Sequence, residues 1–362
     1  MSFTNFAALT NEAKTIWSMD LWKHARNFSF LTQFMGTDSN SMVQRITELK
    51  KSEKGDRAVI TLLADLEGDG VAGDRTLEGN EEAMKTYDQV ITIDQLRHAN
   101  RHEGRMANQR SIVSFRENSR NVLAYWLADR IDQMAFLTLG GISYAYKPDG
   151  TLRTGSDLQY LAFNTDIVAP SALRRAQWDT TGGLNVGGAT TDLDAGDIIT
   201  WETLVRMREQ AKNQYLRGIR PQGGMDELFH VFMTPTCMAN LKMDNDYMLN
   251  LRHSQQSGVN NKLFNAGAVT VDGLVLHEFR HVPHNVNWGG QAGSAIVMCG
   301  AQALAFADIG NPEWVEKEFD YDNQPGISVQ KMLGFLKPQF NSIYAGNTVQ
   351  DHGVFVTYVA DA

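Results

Sequence analysis

Two stretches with the alternating pattern of β-strands flank a connection far longer than a hairpin needs. The predicted strands are residues 58–66 (AVITLLADL) and 87–96 (YDQVITIDQL). The buried face of the first strand is predicted to carry Ala58, Ile60, Leu62 and Leu66. Hairpin loops usually have two to five residues, and structureless loops beyond about 12–15 residues are uncommon and tend to be functional. Residues 67–85 therefore predict a projecting loop that is either mobile or held by another molecule.

Charge is segregated along this part of the chain. Between Asp65 and Asp88 there are eight acidic residues and only two basic ones, whereas residues 97–110 contain four arginines, two histidines and one glutamate. The acidic loop of one copy is therefore predicted to meet the basic segment of the next copy in a head-to-tail contact. The predicted interface residues, including two tryptophans of the N-terminal segment, are Trp17, Trp22, Glu67, Asp69, Asp74, Arg75, Glu78, Glu81, Glu82, Lys85, Arg97, Arg101 and Arg105.

Composition indicates an ordinary globular protein of 362 residues, long enough for two or three compact modules. The net charge of −9 argues against a protein whose main work is to clamp nucleic acid phosphates. The sequence contains no apolar run of the roughly 20 residues needed to cross a bilayer, and its first residues do not resemble a secretory signal. Cys237 and Cys299 are predicted to be reduced, buried packing residues.

Periodicity predicts the remaining elements. Residues 1–35 are an arm with scattered large apolar side chains that needs a surface to lie on. The clearest helix is predicted over 109–139, with an apolar face that includes Val122 and a stop at Gly140 and Gly141. The other predicted elements are a loop at 180–196, a helix at 201–216 after Thr200, a strand at 228–234, a helix from Pro235 to about Leu251, and strands within 269–279, 294–309 and 326–358.

One motif points to a different class of protein. The letters HEFRH, from His277 to His281, match the H-E-x-x-H pattern, which binds zinc when both histidines lie on one face of a helix. The flanking pattern predicts a strand, however, and a strand would separate the two histidine Cα atoms by about 13 Å. A zinc-dependent hydrolase using His277, Glu278 and His281 is therefore only the alternative reading, and neither a catalytic constellation nor a cofactor is predicted.

The acidic loop also begins like a calcium-binding loop. Asp65, Glu67, Asp69 and Gly70 resemble the first half of an EF-hand, but its twelfth position is Thr76 where a bidentate glutamate belongs, and strands replace the flanking helices. No bound cation is predicted.

Particular segments, together with the order of elements, resemble a known family. The segments are RTLEGNEEAMKTYDQVITIDQLRHANR, LAYWLADRIDQMAF, VFMTPTCMANLKMD, IVMCGAQALAFA and FDYDNQPGISVQKMLGFLKPQF. Over roughly residues 40–340 the chain is similar to the major capsid proteins of tailed bacteriophages, of the schitovirus-like family with the Hong Kong 97-type capsid fold.

The resemblance implies an α+β fold with an arm, an extended hairpin loop, a peripheral domain with a long spine helix and a mixed α/β axial domain. The implied boundaries are 1–56 for the arm and the start of the peripheral domain, 57–96 for the extended loop, 97–140 for the peripheral domain with the spine helix, 141–309 for the axial domain and 310–362 for the returning C-terminal strands.

The same resemblance implies a structural, non-enzymatic subunit. Its copies would form the hexamers and pentamers of an icosahedral virion shell, assembled in the bacterial cytoplasm around double-stranded DNA that is contacted non-specifically. The implied further partners are a separate scaffold protein, a portal and a decoration protein, with no membrane involved. An encapsulin-like compartment with a protein cargo is the second alternative.

Overall fold

The computed structural model describes residues 29–47, 57–63, 66, 68–106, 115–221, 226–254, 269–342 and 345–361. Among these residues, no helix has both the length and the apolar character that a membrane crossing needs. The α-helices in the described ranges are α1 (Phe115–Gly140), α2 (Trp201–Asn213), α3 (Pro235–Met243) and α4 (Asn245–Ser254). The strands are β1 (Met35–Gly36), β2 (Val43–Ile46), β3 (Arg57–Leu63), β4 (Thr86–Thr92), β5 (Asp94–Arg101), β6 (Arg175–Asp179), β7 (Gly183–Val186), β8 (Phe229–Met233), β9 (Val269–Val271), β10 (Leu274–Glu278), β11 (His284–Trp288), β12 (Gln291–Cys299), β13 (Leu304–Phe319), β14 (Gln324–Leu336), β15 (Gln339–Ser342), β16 (Thr348–Asp351) and β17 (Val354–Ala360).

The first large sheet has the strand order β1-β2-β13-β14-β5. Its centre is the long antiparallel hairpin of β13 and β14, with β5 antiparallel to the outer side of β14 and β2 parallel to β13. Helix α1 covers one face of this sheet. His98 of β5 stacks on Trp126 with ring centroids 4.5 Å apart, and Asn100 donates a hydrogen bond to Ser119 at 3.1 Å. The odd-numbered residues of β5 therefore lie on the opposite face. The hairpin of β3 and β4 covers one end of that face, at Ala305 and Leu336, and the part around β5 is open.

The second large sheet has the strand order β7-β6-β17-β12-β8-β10-β9, with β11 also paired to β12. It lies between α1 on one side and α2 and α3 on the other. Val297 of β12 belongs to the core shared with α1, whereas its neighbours Ile296 and Met298 pack in the core shared with α2 and α3. A strand covered on both faces has no polar face, which explains the continuous apolar run in this part of the sequence.

The predicted hairpin is confirmed, with two corrections. β3 and β4 pair antiparallel in register, and Ala58, Ile60 and Leu62 are all buried. Leu66, predicted on the same face, is 63% exposed, because the strand ends at Leu63 and the chain leaves the sheet. The predicted partner strand is two strands, β4 and β5, which belong to different sheets. The chain changes sheet beside Asp94, whose carboxylate accepts a hydrogen bond from the distant backbone N–H of Ala162 at 2.7 Å.

The predicted long helix is confirmed from Phe115 onward, and its predicted beginning lies outside the described residues. From Ile131 to Gly140 every residue is buried, and Gly141 ends the helix with φ of +68°. The prediction that Val122 lies on the apolar face is wrong, since this side chain is 57% exposed. The N-terminal half of α1 contacts the body on one side only. Apolar side chains at helical spacing there can therefore lie on the uncovered side, as Val122 does.

Three predictions for residues 180–254 are corrected in their boundaries. The segment predicted as a loop contains β7, which pairs with β6. Helix α2 begins after Thr200 as predicted but ends at Asn213, close to Tyr215 in the left-handed conformation with φ of +53°. The helix predicted from Pro235 is two helices, because Asp244 adopts extended backbone between them and accepts a hydrogen bond from the backbone N–H of Trp201 at 2.7 Å.

A buried ionic group ties the first sheet together. Asp308 of β13, almost fully buried, accepts hydrogen bonds from Lys331 of β14 and from Arg45 of β2, the latter at 2.7 Å from Nε. Lys331 is equally buried, whereas the Arg45 side chain is 32% exposed. Removing one partner of a buried ion pair leaves an uncompensated charge, which is the costly case.

The asymmetry of this group gives a first prediction. Asp308→Ala leaves Lys331 charged in the core and should lower the free energy of unfolding by about 3–5 kcal/mol. Lys331→Met should cost only about 1–3 kcal/mol, because Arg45 still neutralises Asp308. Urea unfolding of the purified chain measures both, with the exposed Lys212→Met as the control for loss of a surface charge. Equal losses in the two variants would contradict the arrangement.

Candidate interaction surfaces

The connection between β3 and β4 is a long exposed loop, as predicted. Its described part, residues 68–85, contains neither helix nor strand, and every side chain except that of the half-buried Val71 is exposed. These residues include five acidic and two basic side chains, so this part of the loop has a net charge of −3. Predicted interface residues that lie here and are exposed are Asp69, Asp74, Arg75, Glu78, Glu81, Glu82 and Lys85. Trp17, Trp22 and Glu67 lie outside the described residues.

Two of the loop carboxylates shape the loop itself. Glu82 accepts a hydrogen bond from the backbone N–H of Gly68, and Glu81 accepts one from Gly79, each at 2.7 Å. The backbone N–H of Asn80 also donates to the carbonyl of Leu77 at 2.9 Å. The predicted interface residues therefore divide into carboxylates with a local structural partner and carboxylates such as Asp74 and Glu78 that extend the acidic surface.

The hairpin and its loop also expose several apolar side chains. Val59 and Val90 are paired across the hairpin on the face opposite its buried one, and are 49% and 45% exposed. Further exposed apolar side chains on the hairpin and its loop are Leu63, Leu66, Leu77 and Met84. Several exposed apolar side chains on one projecting element indicate a candidate site of interaction. The sequence contained the signal, since Val59 and Leu63 occupy the positions where a solvent-facing strand should be polar.

The open face of the first sheet has the opposite charge. Arg101 of β5 lies opposite Gly326 of β14, which is paired with Lys317 of β13, so both cations are on this face. They flank one ring, because the Arg101 guanidinium and the Lys317 ammonium lie 4.5 Å and 4.9 Å from the centroid of Phe319. Arg97 is exposed on the same face.

The rest of this face is mixed, because Gln330 and Glu313, which are in register with Arg97, lie on it beside the apolar Val315 and Met332. Val315 and Met332 are 45% and 37% exposed. Arg105 follows the end of β5 and donates its backbone N–H to Asn323 at 3.2 Å. The structure thus brings Arg97, Arg101 and Arg105 to one side of the molecule, as the sequence grouped them, and adds Lys317, Val315 and Met332, which lie about 220 residues away in sequence.

The H-E-x-x-H letters do not form one site. His277 and Glu278 are the last residues of β10 and His281 lies in the following turn, so the predicted strand is confirmed. His277 Nε2 lies 2.9 Å from His230 Nδ1, Glu278 is exposed near Lys242, and His281 Nε2 lies 2.7 Å from the carboxylate of Asp129 on α1. Each side chain has a different partner, and within the described ranges no group of three or more histidine, cysteine or acidic residues is placed to hold a metal ion.

The sequence is similar to phage capsid proteins over its whole length. A family model described as phage capsid protein matches residues 5–362. The major capsid protein of Pseudomonas phage KPP25 is 56% identical over 369 aligned residues, which cover 99% of this chain and 98% of that protein.

Solved capsid structures share the fold. The capsid of Ralstonia phage GP4 matches with a TM-score of 0.75 and 23% identity over 92% of this chain and 91% of that chain. The capsid of cyanophage Pam1 matches with a TM-score of 0.71 and 17% identity over 100% and 96%. The capsid of Helicobacter pylori phage KHP30 matches with a TM-score of 0.64 and 14% identity over 92% and 91%. The predicted α+β fold of tailed-phage capsid proteins is thereby confirmed.

Exposure of the acidic loop can be tested by proteolysis. Trypsin should cleave after Arg75 and Lys85 at least about tenfold faster than after Arg97 or Arg101, because loops outside the hydrogen-bonded ladder open at little cost. Mass spectrometry of a short digest of the unassembled chain identifies the cuts, and the Arg75→Gln, Lys85→Gln double variant should lose the early products. Equal cleavage rates in the loop and on β5 would show that the loop is protected.

Proposed function

Because the chain belongs to the phage capsid protein family, we propose that its copies assemble into the hexamers and pentamers of an icosahedral head. The protein is the major capsid protein of a phage, and its near-full-length identity to the capsid protein of phage KPP25 carries that conclusion. Its place is the virion, and its role is structural. No observation favours the encapsulin-like compartment, and the separation of His277 from His281 speaks against the zinc hydrolase.

The finer assignments extend this proposal. The arm and start of the peripheral domain are residues 1–56, the extended loop 57–96, the peripheral domain with α1 as spine helix 97–140, the axial domain 141–309 and the returning strands 310–362. Assembly takes place in the host cytoplasm with a separate scaffold protein, a portal and a decoration protein as partners. Contact with the packaged double-stranded DNA is non-specific, and the net charge of −9 argues against a surface whose main work is to clamp its phosphates.

The contact between copies that we propose joins the two surfaces described above. The acidic loop of one subunit lies on the open face of the first sheet in its neighbour, with Asp74 and Glu78 near Arg97 and Arg101. Exposed apolar side chains of both surfaces, such as Met84 on the loop and Val315 on the sheet, meet in the same contact. Exposed ion pairs contribute only about 0–1 kcal/mol each, so the apolar area and the many repeats of the contact must add to them.

Removing the loop tests the contact without disturbing the body. Replacement of residues 67–84 by a short Gly-Asn turn should leave a folded chain, because the buried side chains of β3 and β4 lie outside the deletion. The variant should give no closed shells by electron microscopy, while circular dichroism matches that of the full chain. Normal particles from the deletion variant would refute the role of the loop.

Charge exchange tests the partner surface. Asp74→Lys with Glu78→Lys should reduce the yield of shells at least about tenfold at low salt, since like charges then face each other. Glu81 and Glu82 are left unchanged because they hold the loop backbone. Adding Arg97→Glu and Arg101→Glu to the same chain should restore much of the yield, whereas Arg206→Glu on the exposed side of α2 is the matched control. Absence of rescue, or full assembly of the reversed loop, would assign the loop to another surface.

A further inference from the structure

The described part of the N-terminal segment begins with a short stretch that is fixed to the body by one buried carboxylate. We call Ser29 to Phe34 the arm root. The hydroxyl of Ser29 and the backbone N–H groups of Phe30 and Leu31 donate to Asp132 at 2.7, 2.8 and 3.2 Å. Asp132 lies in the buried half of α1 and is 3% exposed. Because a buried carboxylate needs several donors, these three bonds anchor the arm root to α1.

Two phenylalanines of the arm root enter an aromatic socket between α1 and the second sheet. Phe30 stacks on Phe279 with ring centroids 4.3 Å apart and approaches Phe136 of α1 at 6.5 Å. Phe34 meets Phe232 of β8 edge to face at 5.3 Å. The arm root therefore touches α1, β8 and the end of β10 together, and it can leave only if this socket opens.

A histidine pair forms one wall of the socket. His230 of β8 and His277 of β10 lie on the same face of two parallel strands, offset by two residues, and His230 Nδ1 lies 2.9 Å from His277 Nε2. The ring of Phe34 lies 5.0 Å from each imidazole. In the neutral pair one ring nitrogen donates and the other accepts, whereas two imidazolium rings present only donors to each other and cannot share this bond.

We propose that His230 and His277 form an acid-sensitive latch, which holds the arm root in its socket while the pair shares one hydrogen bond and releases it when both rings are charged. Burial and the neighbouring His230 lower the pKa of His277 to about 4, and burial lowers the pKa of His230. His277, the first histidine of the H-E-x-x-H sequence, would then help to hold the arm root instead of binding a metal ion.

The lowered pKa values of the two histidines determine how docking of the arm root depends on pH. A histidine whose pKa is lowered by docking stabilises the docked state above its ordinary pKa of about 6.5, and this contribution is lost as the pH falls toward 4. Asp132 acts in the opposite direction, because burial raises its pKa and protonation relieves the burial of a charge. The other charged groups nearby are His281, which faces Asp129, and Glu278, which is directed toward Lys242.

Hydrogen exchange with mass spectrometry on the purified full chain tests the latch. After correction for the intrinsic pH dependence of exchange, the protection of amides in residues 29–36 should fall about tenfold or more between pH 7 and pH 4.5. The expected loss is set below what the full pKa shifts of both histidines would give, because both rings are only half-buried. His277→Gln places an amide where Nε2 lies and should abolish this loss without gaining charge. His230→Asn does the same for Nδ1, and His284→Gln, outside the socket, should behave like the unaltered chain.

Several results would overturn the latch. In the unaltered chain, these results are unchanged protection of residues 29–36 across this pH range or a loss of protection in all regions at once. In the His277→Gln and His230→Asn variants, the contradicting result is a loss of protection as large as that of the unaltered chain. If neither variant folds, hydrogen exchange at the histidine C2 positions of the unaltered chain decides, since His277 must titrate below pH 5.5 in the docked state. Asp132→Asn should weaken protection already at pH 7, and the loss between pH 7 and pH 4.5 should be at least as large as in the unaltered chain because the opposing titration of Asp132 is gone. This separates the polar anchor from the histidine pair.

Discussion

The C-terminal half of α1 is the element on which the rest of the molecule depends, because both large sheets pack against it and it is buried from Ile131 to Gly140. One continuous core joins Phe306 and Phe335 of the first sheet to Val297 and Val356 of the second through this helix. Replacing a large apolar side chain by alanine in such a position lowers the free energy of unfolding by about 2–5 kcal/mol. The two sheets are therefore parts of one body, and α1 fixes the distance between the surfaces that each of them presents.

The hairpin of β3 and β4 lies outside this continuous core. Its buried side chains form a separate, small cluster with Ile46, Ala305 and Leu336, and the opposite face of the hairpin is open. A two-stranded sheet is marginal on its own, so this element is held by one face and by its covalent connection. The loop beyond it gains nothing from the core. An element of this kind can adjust its direction while the body stays unchanged, which suits the contact proposed for both hexamers and pentamers.

Local patterns predicted the elements better than their ends. The alternation in residues 58–62 and the glycine pair at the end of α1 report burial and backbone freedom directly, and both predictions hold. The division of one predicted strand at Asp94 and of one predicted helix at Asp244 depends on backbone donors 68 and 43 residues away, which no local window contains. The exposure of Val122 was hidden for the same reason, because spacing shows which residues share a face and not whether anything covers it.

The charged residues of the proposed contact could be predicted from the sequence. Which of them bond to the loop's own backbone could not. Charge counting groups Glu78, Glu81 and Glu82 together, whereas the backbone N–H groups of Gly68 and Gly79 occupy the last two. Only part of the partner surface could be predicted from the sequence, since strand pairing across the sheet is what brings Lys317 into line with Arg101 and Val315 into line with Ala99.

If the proposed contact between the acidic loop and the open sheet face is weak in each copy, this has a consequence for assembly. An exposed ion pair worth about 0–1 kcal/mol dissociates readily and is screened by salt, so a subunit bound through one such contact is released quickly. A subunit in a closed ring makes the contact twice, once with its loop and once with its sheet, and the two add. Closure is then favoured over open chains, and misplaced subunits leave before they are enclosed. A strong single contact would remove this discrimination, which gives a physical reason for a loop that combines scattered carboxylates with isolated apolar side chains instead of one large apolar surface.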